Sequence, residues 1–232
     1  MKNIRKFETT AEMDAAVLTE PYVLYNEETG LVKTNPDGGS IDYEYVDLGL
    51  SVKWATCNVG ASSPEEYGLY FAWGETEGYT GITDTKKFAW SDYKYGTSSS
   101  NLTKYNSTDG KTVLELTDDA AHVNMGGNWR MPTKAEIQEL LSNTRTLWTT
   151  MNGVKGIRFF LKSDTTKSIF MPAAGLCLDG SVSSAGGVGF SGSSSLDGSD
   201  VTKASYLSFS SSSTFLNTFS RYCGRSVRGV LE

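Results

Sequence analysis

The segment from Gly126 to Asn143, GGNWRMPTKAEIQELLSN, carries the clearest helix signal in this chain. Thr133 is a favourable N-cap, and Glu136 follows it at the third position. This spacing forms a capping box, in which two side chains satisfy backbone donors at the start of a helix. An apolar stripe follows at helical spacing, formed by Ile137, Leu140 and Leu141. The segment therefore predicts one amphipathic helix that packs on the core of a larger domain.

The rest of the domain alternates short apolar runs with polar loops. Gly156–Leu161 and Ser168–Met171 predict two adjacent strands, and the runs ASYLSF and RSVRGV predict further strands near the C-terminus. Residues 78–120 combine Gly, Ser, Thr and Asp with Tyr and Trp, which indicates long structured loops held down by aromatic side chains. We therefore expect an α+β domain over residues 41–230, with few helices, short strands and a high loop content.

Residues 1–40 predict a separate small module. Thr10 and the following AEMDAAV are typical of a short capped helix that ends before Pro21. The runs YVLY and LVKT flank NEETG, which predicts a β-hairpin with Gly30 at a positive-φ position. The turn-rich NPDGGS, from Asn35 to Ser40, marks the expected boundary with the main domain.

Composition excludes several classes of partner. The net charge is −6 and no basic run exceeds two residues, so we expect no nucleic-acid partner. No apolar run approaches the roughly 18 residues of a membrane span, so we expect no membrane insertion. The N-terminal segment has charges but no apolar centre, so it does not predict a signal peptide, and the chain is expected to be made in the cytoplasm.

Candidate catalytic and metal-binding residues are few. His122 is the single histidine and has no nucleophile motif around it, so we expect a structural histidine in a loop or turn. Asp118 and Asp119 are expected to be turn or cap residues, or at best weak calcium ligands, because EF-hand spacing is missing. Three dispersed cysteines form no C-x-x-C pair, and buried thiols are favoured over one disulfide, the alternative that stays open. We predict no catalytic site, no metal and no cofactor.

Residues 173–230 have a biased composition. Trp, Met, Gln and Glu are all missing from this segment, and Lys203 is its one lysine. A strand-rich end with little helix explains the lack of Glu and Gln, which favour helices, but it explains the lack of Trp less well.

The chain resembles a known family across residues 43–230. The runs DLGLSVKWATCNVGA, YFAWGET, GGNWRMPTKAEIQELL and SVRGV look like the Bacteroidetes proteins of the Fibrobacter succinogenes major paralogous domain type. The N-terminal KFETTAEMDAAVLTEPYVLYNEETG is similar to the leader of Bacteroides phage and prophage members. The resemblance implies a C-type lectin-like fold, close to the formylglycine-generating-enzyme branch.

The C-terminal segment is also similar to the variable region of a diversity-generating retroelement target protein. In those systems mutagenesis at adenines converts Asn codons into codons for Ser, Gly, Tyr, Phe and others. Trp, Met, Glu, Gln and Lys cannot arise in this way, which matches the bias of residues 173–230. The calcium-dependent sugar-binding motifs of C-type lectins are missing from the sequence, so that activity is not implied.

The resemblance implies an exposed, diversified face. We expect Phe and Tyr to act as anchors and Ser, Thr and Asn as adaptable hydrogen-bonding contacts, as in antibody paratopes. In a strand, Phe215, Asn217 and Phe219 share one side and Leu216 points inward, with Val227 and Arg228 in the scaffold. The alternative is that Phe215 and Phe219 are core residues. The predicted ligand-binding residues are Phe190, Ser191, Ser208, Ser210, Ser213, Phe215, Asn217, Thr218, Phe219, Ser220 and Tyr222.

The expected function is therefore non-enzymatic ligand binding, as a phage receptor-binding or adhesion component on a virion or extracellular surface. The partner would be a protein or glycan on a bacterial cell surface, and formation of a homo-oligomer is left open. One alternative is a secreted surface adhesin of the same fold. The other is an enzyme related to the formylglycine generators, which is disfavoured because Cys177 and Cys223 do not match the expected cysteine spacing.

Overall fold

The computed structural model describes residues 43–232, together with the backbone of three strands nearer the N-terminus. The strands are β1 (Asn3–Phe7), β2 (Tyr22–Asn26), β3 (Leu31–Thr34), β4 (Tyr45–Val46), β5 (Lys53–Asn58), β6 (Tyr70–Phe71), β7 (Gly78–Tyr79), β8 (Thr144–Met151), β9 (Val154–Leu161), β10 (Ser168–Pro172), β11 (Leu176–Leu178), β12 (Ser181–Ser183), β13 (Val188–Leu196), β14 (Lys203–Ser210), β15 (Thr214–Ser220), β16 (Arg225–Ser226) and β17 (Arg228–Leu231). The α-helices of the described residues are α1 (Ala120–Met125) and α2 (Lys134–Asn143), and short 3-10 helices span Trp90–Asp92 and Leu116–Asp118.

The architecture is mixed α+β, mostly sheet with few helices, which confirms the predicted class. Helix α2 begins at the predicted residue. Thr133 accepts a hydrogen bond from the Glu136 backbone N–H, and the Glu136 carboxylate accepts one from the Thr133 N–H, so the capping box is complete. Ile137 and Leu140 are buried against the sheets, as the apolar stripe predicted.

The largest sheet runs in the order β1-β2-β3-β7-β6-β16-β13-β14-β15. β2 and β3 pair antiparallel, which confirms the predicted N-terminal hairpin, and β3 continues the sheet by pairing with β7. The predicted helix before Pro21 and the turn at Gly30 lie outside the described residues. The division at residues 35–40 stays a prediction.

Three smaller sheets complete the frame of the described residues, one of them the antiparallel pair of β11 and β12. β8, β9 and β10 form another, and the pairing of β9 with β10 confirms the predicted adjacent strands. β17, β5 and β4 form the third. The predicted closing strand, Arg225–Val230, is therefore two strands: β16 joins the large sheet and β17 joins β5.

Two hydrophobic cores lie within the described residues. The helix-side core packs α2 against the sheets and includes Ile137, Leu140, Phe159, Leu207 and Phe209. The loop-side core lies under the loops of residues 78–120 and includes Trp73, Tyr93, Tyr95, Tyr105 and Ala204. Within it, Tyr95 and Tyr105 meet edge to face with ring centroids 5.7 Å apart. The aromatic anchoring of the loops is thus confirmed.

Candidate ligand-binding face

β13, β14 and β15 form the end of the large sheet, and their register decides which side chains lie together. Ser208 of β14 pairs with Phe190 on one side and with Phe215 on the other. Directly paired residues point to the same side of an antiparallel sheet. Asn217 pairs with Tyr206 and Phe219 with Ala204 on that side. We call the side that carries Phe190, Ser208, Phe215, Asn217 and Phe219 the β15 face.

The β15 face is open to solvent along its last strand. Phe215 is 43% exposed and Phe219 is 41% exposed, and Asn217 between them is also exposed. Large aromatic side chains are normally buried, so two of them exposed on one strand form an apolar strip. The prediction that Phe215 and Phe219 point outward is confirmed, and the core alternative is wrong for both residues.

The opposite side of the same strands is covered. Leu216 packs on the helix-side core, which contains Leu207 and Phe209 from β14 and Leu140 from α2. Strand alternation therefore separates a buried set from an exposed set in β15, and Leu216 points inward as predicted. The β15 face thus lies on a strand whose other side is held by the core.

Two predicted contact serines are buried, which corrects the sequence prediction. Ser191 is 5% exposed and pairs with Leu207, so it points toward the helix-side core rather than toward solvent. Ser208 does point to the β15 face, but it is 6% exposed because Phe190 and Phe215 flank it on the two neighbouring strands. A ligand at this face would meet the two aromatic rings before it met Ser208.

The structure also corrects the prediction that Thr218 and Ser220 contact the ligand. They alternate with Phe215, Asn217 and Phe219 along β15, and both are half-buried on the opposite side. The Thr218 hydroxyl is hydrogen-bonded to the Asp197 carboxylate, so it is already engaged within the domain. These two residues support the strand from behind.

The remaining predicted residues lie at the ends of the face. Ser210 and Ser213 close the β14–β15 turn, where the Ser210 N–H donates to the Ser213 carbonyl at 2.8 Å. Tyr222 is half-buried, and its ring centroid lies 4.8 Å from that of Trp90 in the loops. Phe190 is half-buried with its ring 5.7 Å from the ring of Tyr206. The structure therefore brings Phe190, Phe215, Asn217 and Phe219 together and places Tyr222 beside the loops.

Arg221 ties the end of β15 to the loop-side core. It is fully buried, and its guanidinium donates to the Tyr93 hydroxyl at 2.7 Å and to the backbone carbonyls of Tyr105 and Lys104 at 2.9 and 3.0 Å. The same group lies 4.9 Å from the centre of the Trp73 ring, a cation–π contact. The exposed strand is thereby fixed at its C-terminal end.

Asp118 organises the loops beside the face, a role that the sequence prediction missed. Its carboxylate accepts hydrogen bonds from Tyr95 at 2.5 Å and Tyr105 at 2.7 Å, and it pairs with Lys104 and Lys94. Burial alone would raise the pKa of Asp118, but hydrogen bonds from Lys104, Tyr95 and Tyr105 outweigh it and hold the pKa well below its usual range. No local sequence pattern reveals this cluster, because its members come from separate loops.

A cavity of about 350 Å³ lies near the loops, lined in part by Glu75, Tyr79, Lys86 and Asp92. Glu75 and Lys86 are both buried, and the Lys86 ammonium lies 2.6 Å from the Glu75 carboxylate. The same ammonium also donates to the Asp92 carbonyl at 2.9 Å. The buried charges of this cavity are thus bound to one another, which indicates a structural role for the pair.

The residues that could be considered catalytic, such as His122 and Asp119, form hydrogen bonds within the domain. His122 lies in α1 rather than in a loop, and its Nδ1 is 3.1 Å from the Trp129 carbonyl oxygen. Asp119 caps α1 by accepting from the His122 N–H, as the cap prediction expected. Burial raises the pKa of the Cys177 thiol to about 12 and that of Cys223 to about 11, so both stay protonated at neutral pH.

The cysteines of the chain are free thiols, with Cys177 and Cys223 buried and Cys57 half-buried. Across residues 43–232 no cluster of three or more His, Cys, Asp or Glu side chains has a geometry that could hold a metal ion. In the part of the chain that the structure describes, no helix combines the length and apolar character needed to cross a bilayer.

Comparisons of this chain with protein-family models, with curated proteins and with solved structures gave no match. The functional argument therefore depends on the residues and on their geometry.

Proposed function

We propose that this protein is a non-enzymatic binding protein that presents a changeable surface, the β15 face, on a C-type lectin-like scaffold. The observation that carries the proposal is the exposure of Phe215 and Phe219, at 43% and 41%, on a strand whose other side is buried. Aromatic side chains contribute large contact areas at low conformational cost, and they are enriched at the centres of protein interfaces.

The polar side chains beside the two phenylalanine rings support the same role. Asn217 is exposed between the two phenylalanines, and the nearby turn presents Ser211, Ser212 and Ser213. Amide and hydroxyl groups can donate and accept hydrogen bonds in many arrangements. A face of this composition binds by aromatic anchors surrounded by adaptable polar contacts.

The contacts that hold β15 in place leave its exposed positions free to tolerate substitutions. Leu216 and Arg221 hold β15 to the two cores. Phe215, Asn217 and Phe219 are exposed and belong to neither core. Substitutions at the three exposed positions would therefore alter the surface and leave the scaffold intact. This separation agrees with the resemblance of residues 173–230 to a diversified region.

We propose that the ligand is a molecule on a bacterial cell surface and that the protein acts in phage adhesion or receptor binding, on a virion or at an extracellular surface. The test uses fluorescently labelled protein and a panel of intact Bacteroides strains, and flow cytometry measures the binding. We expect saturable binding to some strains, and at least a roughly tenfold loss in the variant Phe215→Ser/Phe219→Ser, because the anchors of the interface are removed.

A matched control separates loss of the face from loss of the fold. Thr146 and Leu147 of β8 are exposed on another sheet, so Leu147→Ser removes an exposed apolar side chain away from the β15 face. This variant should bind as the unmodified protein does. Equal binding by the double variant, at an unchanged melting temperature, would contradict the proposal.

A further inference from the structure

Strand β15 is the outermost strand at one end of the large sheet, and among the described residues no strand pairs with its outer edge. Its register with β14 shows which backbone groups face outward. The Arg221 N–H donates to the Thr202 carbonyl at 3.1 Å, so the odd-numbered residues of β15 are those that bond to β14. The backbone N–H and C=O groups of the even-numbered residues, including Leu216 and Thr218, therefore point away from β14.

The outer edge of β15 lacks the features that usually protect such edges, which are charged side chains, proline and bulges. The strand reads TFLNTFS, with no charged residue and no proline, and its pairing with β14 has no register shift. By contrast β8, the outermost strand of the β8–β10 sheet, carries exposed Arg145. Within the described residues, the backbone of Leu216 forms no hydrogen bond. A further strand could therefore extend the sheet at β15.

The order of residues in β15 is nearly symmetric about Asn217. Phe215 and Phe219 lie at equal distances from this residue, and hydroxyl side chains occupy both ends of the strand, at Thr214 and Ser220. When two identical strands pair antiparallel about a twofold axis, residues at equal distances from the axis lie opposite each other. A second copy of β15 is therefore a strand that this edge fits.

We propose that two copies of this chain pair through the outer edges of their β15 strands, antiparallel and centred on Asn217. Leu216 of each copy then lies opposite Thr218 of the other, and both residues have outward backbone groups that can exchange N–H···O=C hydrogen bonds. Phe215 of each copy lies opposite Phe219 of the other, on the same side of the extended sheet. This inference goes beyond the proposed function, because it concerns contact between copies and requires no ligand.

Asn217 has a separate role in the single chain and in the pair. In the single chain its Oδ1 accepts a hydrogen bond from the Thr218 N–H at 2.8 Å, which satisfies one donor of the open edge. Pairing replaces this acceptor by the Leu216 carbonyl of the other copy. The two released Asn217 carboxamides face each other across the axis, where each can donate to and accept from the other. No donor is left unsatisfied by the exchange.

The size of the contact predicts a weak, reversible dimer. Phe215 is 43% exposed and Phe219 is 41% exposed, so the four rings of a pair offer on the order of 300 Å² of apolar surface. Stable complexes bury more than about 1,200 Å² in total, so we expect a Kd of roughly 10 μM to 1 mM. Each chain has a net charge of −6, and contact through an uncharged strand limits the repulsion between copies.

Sedimentation velocity of the full chain, from about 10 μM to about 1 mM, tests the dimer. We expect the natural protein to associate as its concentration rises. Asn217→Lys and Asn217→Glu should each weaken association at least roughly tenfold, because like charges meet at the axis. An equal mixture of the two variants should associate again, since opposite charges then meet. Thr146→Lys and Thr146→Glu, at an exposed position of β8, make the same charge changes and should associate as the natural protein does.

The outcomes distinguish the edge and its register. A natural protein that stays monomeric throughout the range overturns the second copy as the occupant of the edge. Association that persists in both Asn217 variants, or that fails in the Thr146 variants, overturns β15 as the contact. Loss in both Asn217 variants without recovery on mixing overturns the register centred on this residue. Asn217 is exposed, so unchanged melting temperatures in its two variants show that the fold is retained.

The dimer and the proposed function can fail independently. Asn217 lies on the β15 face, so cell binding by its variants does not serve as a readout of pairing. A natural protein that stays monomeric and still binds cells through Phe215 and Phe219 overturns the dimer alone. A natural protein that associates as expected and binds no bacterial strain counts against the proposed function alone, and supports the dimer when mixing restores association.

Discussion

The two sides of the sheet end formed by β13, β14 and β15 are covered in different ways. On one side, Leu207, Phe209 and Leu216 pack against helix α2 and the β8–β10 sheet through the helix-side core. On the other side, Ala204 belongs to the loop-side core with the aromatic rings of the loops, and Tyr206 is buried beside Phe190 and Arg225. That cover ends before β15, where Phe215 and Phe219 are exposed.

The difference shows how one strand can combine a packed side with an exposed side, the side to which we assign the proposed recognition role. On the helix side, Leu216 packs on the helix-side core, so this residue of β15 is constrained by packing. Loops cover only the inner strands on the other side, so the outermost strand presents its alternate residues to solvent. The following predictions test this contrast, beginning with the largest expected effect.

Phe209→Ala should destabilise the protein by about 3–5 kcal/mol, because it leaves a cavity in the helix-side core where the ring contacts Phe159. Chemical denaturation monitored by tryptophan fluorescence measures the change. Phe215→Ala is the matched control on the exposed side, and we expect it to cost less than about 1 kcal/mol. Similar losses for the two variants would mean that the two sides are not different in packing.

Asp118→Asn should cost about 2–3 kcal/mol at neutral pH, because it weakens hydrogen bonds from Tyr95, Tyr105 and Lys104 to a charged acceptor. The substitution should also loosen the loops that hold these groups, so amide hydrogen exchange should become faster in residues 94–118. Hydrogen exchange in α2 should change less, since that helix lies in the other core. Uniform acceleration in both regions would show that the cores unfold as one unit.

The pH dependence of this variant follows from the lowered pKa of Asp118. An acid whose folded pKa is below its unfolded value stabilises the fold above the unfolded pKa, near 4, and loses that contribution as pH falls toward the folded pKa. The difference in unfolding free energy between the natural protein and Asp118→Asn should therefore shrink as pH falls below about 4. A constant difference from pH 7 to pH 2 would contradict the charged state assigned to Asp118.

The smallest effect is expected for Phe215→Ser/Phe219→Ser. Both rings are largely open to solvent, so the melting temperature should fall by only about 2–4 °C, which corresponds to about 1 kcal/mol for a domain of this size. Differential scanning calorimetry measures the shift. A fall of more than 10 °C would place both side chains in the folding core and break the contrast between the two sides of β15.

Local patterns in the sequence predicted much of the fold. The capping box at Thr133 and Glu136 placed the start of α2, since capping depends on residues three positions apart. For Phe215 and Phe219 the sequence predicted only that they share one side if they lie in a strand, and the structure shows that strand as β15. The site was predicted less completely, because Ser191 and Ser208 are shielded by neighbouring strands that lie elsewhere in the sequence.

The sequence by itself determined the elements that depend on near neighbours: the capped helix and the N-terminal hairpin strands. The tertiary structure alone decided which alternate set of β15 is covered, because burial depends on the elements packed against each side. It also decided the different surroundings of Arg221, Arg225 and Arg228. The three residues are chemically identical, but the loops and strands that surround two of them supply close acceptors and those around Arg225 do not.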